Sequence, residues 1–293
     1  MAVQGKNAAN PFGFASILTR KWRKSSDKKH CSDYYRHPKL MNNIFDSHAH
    51  YDDEKFSQDR DELLKRVFES GVVSIVNCSS DLKSSITSLN LAAKYEHIYA
   101  AAGIHPHEAE DAGKNDLLLI ADMLNDPKCV AVGEIGLDYH YDFSPRDIQK
   151  RIFEEQLILA KEKDMPVIIH DREAHEDTME LLKKYRPKGV VHCFSGSAEM
   201  AKEVVKLGMY IGLGGAVTFK NAKKPVSVAA VVPEDRLLIE TDCPYMAPVP
   251  HRGERNDSSL IPFTAEVIAT VRGVTAQEVL DITCKNAKDL FGI

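Results

Sequence analysis

Asn43-Ile-Phe-Asp-Ser-His-Ala-His50 is a short apolar run, Ile44 and Phe45, ending in two histidines one residue apart. Side chains on a strand alternate faces with a period of two, so this stretch is expected to place Asp46, His48 and His50 on one side. Two imidazoles converging at a strand end form a bidentate site for a divalent metal. The motif is short, and alone it reads equally as a pair of surface histidines. Later residues shift that balance. Glu134, His170, His192 and Asp242 each follow an apolar, strand-like run, and with the first pair they complete a two-metal ligand set.

Outward from that stretch one alternation repeats. Strand-like runs fall at 44–46, 72–77, 98–103, 129–133, 166–169, 189–191, 209–213 and 236–240. Helical patterns lie between them at 59–70, 82–95, 115–125, 145–163, 174–185, 198–207 and, more weakly, 223–231, followed by 262–271 and 275–290. The clearest helix carries Ile148, Ile152, Phe153, Leu157, Leu159 and Ala160 as an amphipathic stripe, with Ser144 and Pro145 read as its cap and first residue. Eight strands alternating with helices over some 250 residues match the size of an α/β fold of the (β/α)₈ TIM-barrel type. The competing architecture is an open, doubly wound sheet. It calls for a glycine-rich loop after the first strand, where this chain has Asp46-Ser-His-Ala-His50. The intervals between candidate ligands fit a barrel: Glu134 to His170 spans 36 residues, His170 to His192 spans 22 and His192 to Asp242 spans 50, one or two β/α units each. Each candidate is expected just past its strand, on the rim where barrel enzymes build their sites.

Composition bounds the remaining choices. The 293 residues are 43% hydrophobic and 28% charged, as in an ordinary globular protein, and suffice for one large core. No stretch approaches the ~18 uncharged apolar residues of a membrane span, so no membrane partner is expected. Six scattered cysteines form no CxxC pair and read as free thiols in a reducing, intracellular compartment, cytoplasmic or nuclear. Residues 1–43 carry a net charge of +7 and the remainder −12. An acidic body counts against a groove-wrapping duplex binder and leaves any nucleic-acid role to local basic residues and metal ions. The basic segment, with an apolar patch at 12–18 beside Arg20, Lys21, Trp22, Arg23 and Lys24, reads as a disordered extension, with mitochondrial targeting the alternative.

At the rim, Val130-Ala-Val-Gly-Glu-Ile-Gly-Leu-Asp138 brings a carboxylate out of an apolar strand between two glycines. A charged Glu134 there must be paired, neutral or on a metal, and no lysine or arginine ends a nearby strand to pair it. A carboxylate can bridge two metals, which an imidazole cannot. Glu240, two residues before Asp242, stands either behind a metal-bound water or as a buried partner for a rim cation. His105 is expected to contact a substrate phosphate, whereas His97, His107, His140, His175 and His251 receive no ligand role. Arg172, Lys220, Lys223, Lys224, Arg252 and Arg255 gather on the same loops and could steer a phosphate backbone, with Arg172 and Arg255 the substrate-binding candidates.

Over residues 44–293 the chain resembles the TatD-family metal-dependent deoxyribonucleases of the amidohydrolase superfamily. The matching stretches include Asp46-Ser-His-Ala-His50, Gly103-Ile-His-Pro-His107, Gly133-Glu-Ile-Gly-Leu-Asp-Tyr139, Val191-His-Cys-Phe-Ser-Gly196, Gly214-Gly-Ala-Val-Thr-Phe-Lys220 and Glu240-Thr-Asp-Cys-Pro-Tyr245. The resemblance implies that His48, His50, Glu134 and Asp242 hold one divalent ion and Glu134, His170 and His192 a second, as Mg²⁺, Mn²⁺ or Zn²⁺. It implies DNA, or RNA, as substrate and exonuclease action. Asp171-Arg-Glu-Ala replaces the usual Ser-Arg-Asp-Ala, Asp257-Ser-Ser follows Arg255-Asn256 in place of Glu-Pro, and the basic extension has no family counterpart. The implied mechanism uses a hydroxide between two metals, with Glu134 bridging and Asp242 accepting the water's proton. A hydrolase of small esters, lactones or amides on the same barrel is the rival, and an inactive scaffold a second one that the filled ligand positions oppose. A self-contained barrel is expected to act as a monomer.

Overall fold

The computed structural model describes residues 41–113 and 115–293. Its strands are β1 Ile44–Ala49, β2 Val72–Cys78, β3 Ile98–Ala102, β4 Cys129–Asp138, β5 Val167–Arg172, β6 Gly189–Val191, β7 Tyr210–Leu213 and β8 Leu237–Ile239. The helices are α1 Arg60–Glu69, α2 Leu82–Lys94, α3 Asp116–Met123, α4 Arg146–Glu162, α5 His175–Tyr185, α6 Ala198–Lys206, α7 Lys223–Val231, α8 Ile261–Arg272 and α9 Ala276–Phe291. The strands pair in parallel in sequence order, β1 through β8. The ring closes where Ala49 bridges Cys243, the Asp242 amide donates to the His48 carbonyl at 3.0 Å and Thr241 hydrogen-bonds Asp46. This is the expected (β/α)₈ barrel, with a ninth helix added. Among the described residues no helix is long and apolar enough to cross a membrane.

Local chemistry fixes most boundaries. In α4, Ile152, Phe153, Gln156, Leu157 and Ala160 recur at helical spacing and are buried against the sheet. Burying each of the large apolar members contributes roughly 1.5–3 kcal/mol. Ser144 does not cap this helix as expected. Its hydroxyl donates to the His107 carbonyl and accepts from the Glu110 amide, and α4 starts with Pro145 as the flanking residue. Ser197 caps α6 through the Met200 amide, and Thr275 with Glu278 forms a reciprocal capping box on α9.

Two apolar layers result. The larger lies between the strands and the surrounding helices, and includes Ile44, Ile75, Ile98, Ile135, Phe153 and Leu280. The smaller fills the bore at the amino-terminal ends of the strands, where Phe45, Val76, Ala101, Ile168, Val190 and Leu238 meet Cys284, Ala287, Leu290 and Phe291 of α9. Phe45 and Phe291 stack with centroids 6.1 Å apart, so α9 plugs the floor. Asn42 and Asn43 hydrogen-bond Gln277 and Asp281 of α9, which ties the start of the described chain to the same floor. The extension and targeting readings fall, up to residue 40, outside the described residues. Cys78, Cys129, Cys193, Cys243 and Cys284 are free thiols.

Candidate metal centre

Three ligand candidates do not lie past their strands as expected. His48, Glu134 and His170 sit inside β1, β4 and β5, which run further than their apolar runs indicate, while His192 and Asp242 lie just beyond β6 and β8. Register shifts between Asp46 and Ala49 in β1 and between Val132 and Ile135 in β4 alter the alternation of faces. Asp46 is therefore not beside His48 and His50. Its carboxylate accepts from the Thr241 amide and from the Thr241 and Ser258 hydroxyls, fastening β1 to β8. Burial pushes its pKa up to about 7 against those hydrogen bonds.

Beyond the shift in β4, Glu134 points into the mouth of the bore, 4% exposed. Its two oxygens face different donors. Oε2 lies 3.3 Å from His48 Nε2 and 3.6 Å from His50 Nε2, whose neighbour Asp242 Oδ1 is 3.4 Å from His50 Nε2 and 3.7 Å from His48 Nε2. Oε1 lies 2.7 Å from His192 Nε2, 2.8 Å from His170 Nδ1 and 3.5 Å from His105 Nε2. Ring nitrogens of His48 and His50 approach to 3.0 Å, and the His48 and His192 rings stack at 3.8 Å. Atoms of His48, His50 and Asp242, of His48, Glu134 and His192, and of His105, Glu134 and His170 each lie within 4.8 Å of one another.

The outer nitrogens of His50 and His170 are anchored on oxygens, whereas Nδ1 of His48 and of His192 is buried without a hydrogen-bond partner. His50 Nδ1 is 3.0 Å from the Cys78 carbonyl, which can only accept, so that nitrogen carries a proton and Nε2, which faces inward, offers a lone pair once it is deprotonated. His170 Nε2 meets Asp138 Oδ2 at 3.0 Å, leaving Nδ1 toward Glu134. His192 Nδ1 lies 3.7 Å from Glu240 Oε1, beyond hydrogen-bond reach, with Nε2 toward Glu134. Metal-binding histidines are held as His50 and His170 are, with the far N–H on a carbonyl or carboxylate. The donor set therefore fits divalent cations.

Electrostatics follow from the crowding. Burial opposes ionisation of Glu134, but His192, His105 and His48 outweigh it and hold its carboxyl well below the usual range. Burial also opposes a charged His50, yet Asp242 and Glu134 lift its pKa to about 9. Burial lowers His105 to about 4, so that ring is neutral at physiological pH. Asp242 stays ionised because His50, His48 and His192 override its burial.

A cleft of about 1190 Å³ opens over these residues, lined among others by Lys55, Lys83, Arg172, Tyr141 and Tyr245. Its walls carry nine carboxylates against three cationic side chains, a surface that repels anions until cations are held in it. Arg172 reaches the cleft. Arg255 does not: its guanidinium is engaged bidentately by Asp59 at 2.8 and 2.6 Å and stands 5.1 Å over Phe56. Lys220, Lys223, Lys224 and Arg252 are also absent from the cleft lining. Glu240 has no lysine or arginine partner among the described residues. It is buried against the Cys193 amide and His192, in room left by Gly212, whose absent Cβ would stand 2.5 Å from Glu240 Oε2.

Asp138 and His107 are the site residues that sequence reasoning passed over. Asp138 Oδ2 receives both His170 and His107, at 3.0 and 2.9 Å. Burial works against its charge, but His107 and His170 hold its carboxyl far below the usual range. The signal was available in the period of two that joins Glu134, Gly136 and Asp138. Gly136 is required between them because its φ is +146° and a Cβ would strike the His170 carbonyl at 2.0 Å.

A parallel (β/α)₈ barrel with histidines and carboxylates converging at its mouth defines the class of metal-dependent barrel hydrolases. Residues 45–292 match the family described as TatD related DNase, and the chain belongs to that family. It is 46% identical over 253 residues to the uncharacterized metal-dependent hydrolase YabD of Bacillus subtilis, covering 85% of this chain and 99% of that one. It is 33% identical over 258 residues to the 3'-5' ssDNA/RNA exonuclease TatD of Salmonella typhimurium, covering 85% and 99%. The crystal structure of YjjV, a TatD homologue of Escherichia coli, superposes with a TM-score of 0.81 at 35% identity, over 86% of this chain and 98% of that one. The chain is thus a metal-dependent hydrolase of a nuclease family.

Proposed function

We propose that the chain is a DNA phosphodiester hydrolase that works as an exonuclease on single-stranded ends, with RNA as a second substrate. The observation that carries this reading is the division of Glu134, one oxygen toward His48 and His50 and the other toward His170 and His192. In it, His48, His50 and Asp242 would hold one divalent ion and His170 and His192 the other, with Glu134 available to both. All six ligands come from one chain, so a monomer suffices. Bound divalent cations lower the pKa of coordinated water from 15.7 toward about 7 and take up charge developing on phosphate oxygens.

The chain's own residues do the rest. Ionised Asp242 accepts the proton of the attacking water and orients it for in-line displacement. His105 Nδ1 accepts from the His107 amide at 3.2 Å, so its proton sits on Nε2, which faces Glu134 Oε1 at 3.5 Å on the cleft wall and is the neutral donor available to a phosphate oxygen entering there. Asp138 fixes the ring of His170, and Glu240 places a carboxylate beside that of His192. The relative's name, a 3'-5' ssDNA/RNA exonuclease, supports the choice of substrate and of a free end. Lys55, Lys83 and Arg172 on the cleft walls supply cationic contacts for flanking phosphates.

The test pairs elemental analysis of the purified protein with turnover of 3'- and 5'-labelled oligonucleotides in Mg²⁺, Mn²⁺ or Zn²⁺. Lactones and N-acyl amides are assayed in parallel. Metal-dependent shortening from one end is expected. Faster turnover of a lactone or amide than of any oligonucleotide would refute the nuclease reading.

A further inference from the structure

Beside the metal centre, the loop after β4 holds two aromatic rings in the open. Tyr141 is 47% exposed and Phe143 64%, in a chain that buries most of its large apolar side chains. They are stacked on each other, with centroids 5.2 Å apart and planes 23° from parallel. The Arg172 guanidinium lies 4.6 Å from the Tyr141 ring centre, so a planar cation extends the stack. His107 presents its edge to both rings, at 5.4 Å to Tyr141 and 4.8 Å to Phe143.

This stack is built into the site. Asp138 Oδ1 accepts the backbone amides of His140 and Tyr141, each at 2.9 Å, and Asp138 Oδ2 accepts the rings of His107 and His170. One buried carboxylate therefore fixes both the loop that carries the rings and a metal-ligand candidate. Arg146 clamps Asp142 at 2.8 and 2.5 Å and steadies the turn between the two aromatics. Tyr141 and Arg172 line the cleft itself. An exposed apolar stack is costly to leave in water unless something flat covers it. At the edge of a phosphodiester site the matching flat group is a nucleobase, whose π face pairs with aromatic rings and guanidinium planes regardless of sequence.

We infer that Tyr141, Phe143 and Arg172 form a base-stacking subsite that grips an unpaired nucleobase of the strand whose phosphate lies in the centre. The inference rests on the nuclease reading above and adds a ligand class for Tyr141 and Phe143, which that reading leaves unused. Only an unpaired base can enter such a stack, so the subsite selects single strands and frayed ends over closed duplex. Arg172 then acts through its planar face as well as its charge.

The experiment uses the full-length enzyme in Mn²⁺ and a labelled single-stranded oligonucleotide. It also uses versions with a tetrahydrofuran abasic residue at each of the three terminal positions in turn. For the wild type, KM is expected to rise roughly 5- to 100-fold for the abasic position that meets the stack. In the Tyr141→Ala/Phe143→Ala double variant that ratio collapses to about one, and Phe143→Trp restores it. Both side chains are exposed, so the fold is expected to survive, and circular dichroism checks it. Wild-type turnover that is metal-dependent but indifferent to every abasic position overturns the subsite and leaves the nuclease reading intact. Absence of turnover on all oligonucleotides, with the metal bound, overturns both. A double variant that loses kcat while keeping the abasic ratio shows that the rings only shield His107 and Asp138, and that too overturns the subsite.

Discussion

At the floor of the barrel, Phe45, Ile168, Val190 and Leu238 close on Leu290 and Phe291 of α9, while at the mouth the same four strands deliver His48, His170, His192 and Asp242. The two ends are two to four residues apart along each strand and obey opposite rules. The floor is held by removal of apolar surface from water and needs no ligand. The mouth gathers imidazoles and carboxylates whose burial is unfavourable unless each is paired or coordinated. Stability and chemistry are thus separated along the axis of one cylinder, and the mouth can carry a demanding electrostatic arrangement because the floor does not depend on it.

The sharpest way to break this separation is Glu134→Ala. Loss of the shared carboxylate should remove metal binding and lower turnover by at least on the order of 10³-fold, since the bound cations supply several kcal/mol of charge stabilisation. Far-UV circular dichroism should stay barrel-like, and unfolding of this variant would show that the floor alone does not hold the fold. The converse is Phe291→Ala, which should cost about 3 kcal/mol in urea denaturation while the folded fraction keeps its metal affinity in calorimetry. Asp138→Asn leaves floor and ligands in place and weakens the anchor of His170, along with that of His107. A loss of roughly 10- to 100-fold in metal affinity is expected, read by chelator competition. The smallest effect is that of pH. His50 is protonated below about 9 and cannot then donate a lone pair, so metal affinity should rise with pH by up to about tenfold per unit and flatten above 9, with proton release on binding below it. Affinity that falls as pH rises would reverse the assigned state of His50.

The residues that revealed the mouth in the sequence did so because apolar runs and polar ends are written locally. His170 and His192 each terminate such a run, and the intervals between candidates encode the β/α repeat. Register shifts are not written locally. Those in β1 and β4 turn Asp46 away from His48, so simple alternation placed one residue on the wrong face, while the apolar runs ended β1, β4 and β5 early. Arg255 was misplaced for a different reason. Its carboxylate partner, Asp59, is 196 positions away, and nothing in the neighbourhood of either residue announces the pairing. Asp138 was overlooked because a carboxylate that serves by holding a ligand leaves the same trace as one on the surface.

The seam between β1 and β8 has a consequence for how the molecule assembles. Asp46 and Thr241 meet across 195 positions of chain, and β8 is only three residues long. Bringing such distant partners together carries a large loop-closure entropy, so this joint is expected to be the last to zip during folding and the first to part during breathing. His48 and His50 stand on one side of it and Asp242 on the other. An ion held by those three side chains would act as a clasp on the weakest joint, coupling catalytic readiness to slower amide hydrogen exchange along β1 and β8.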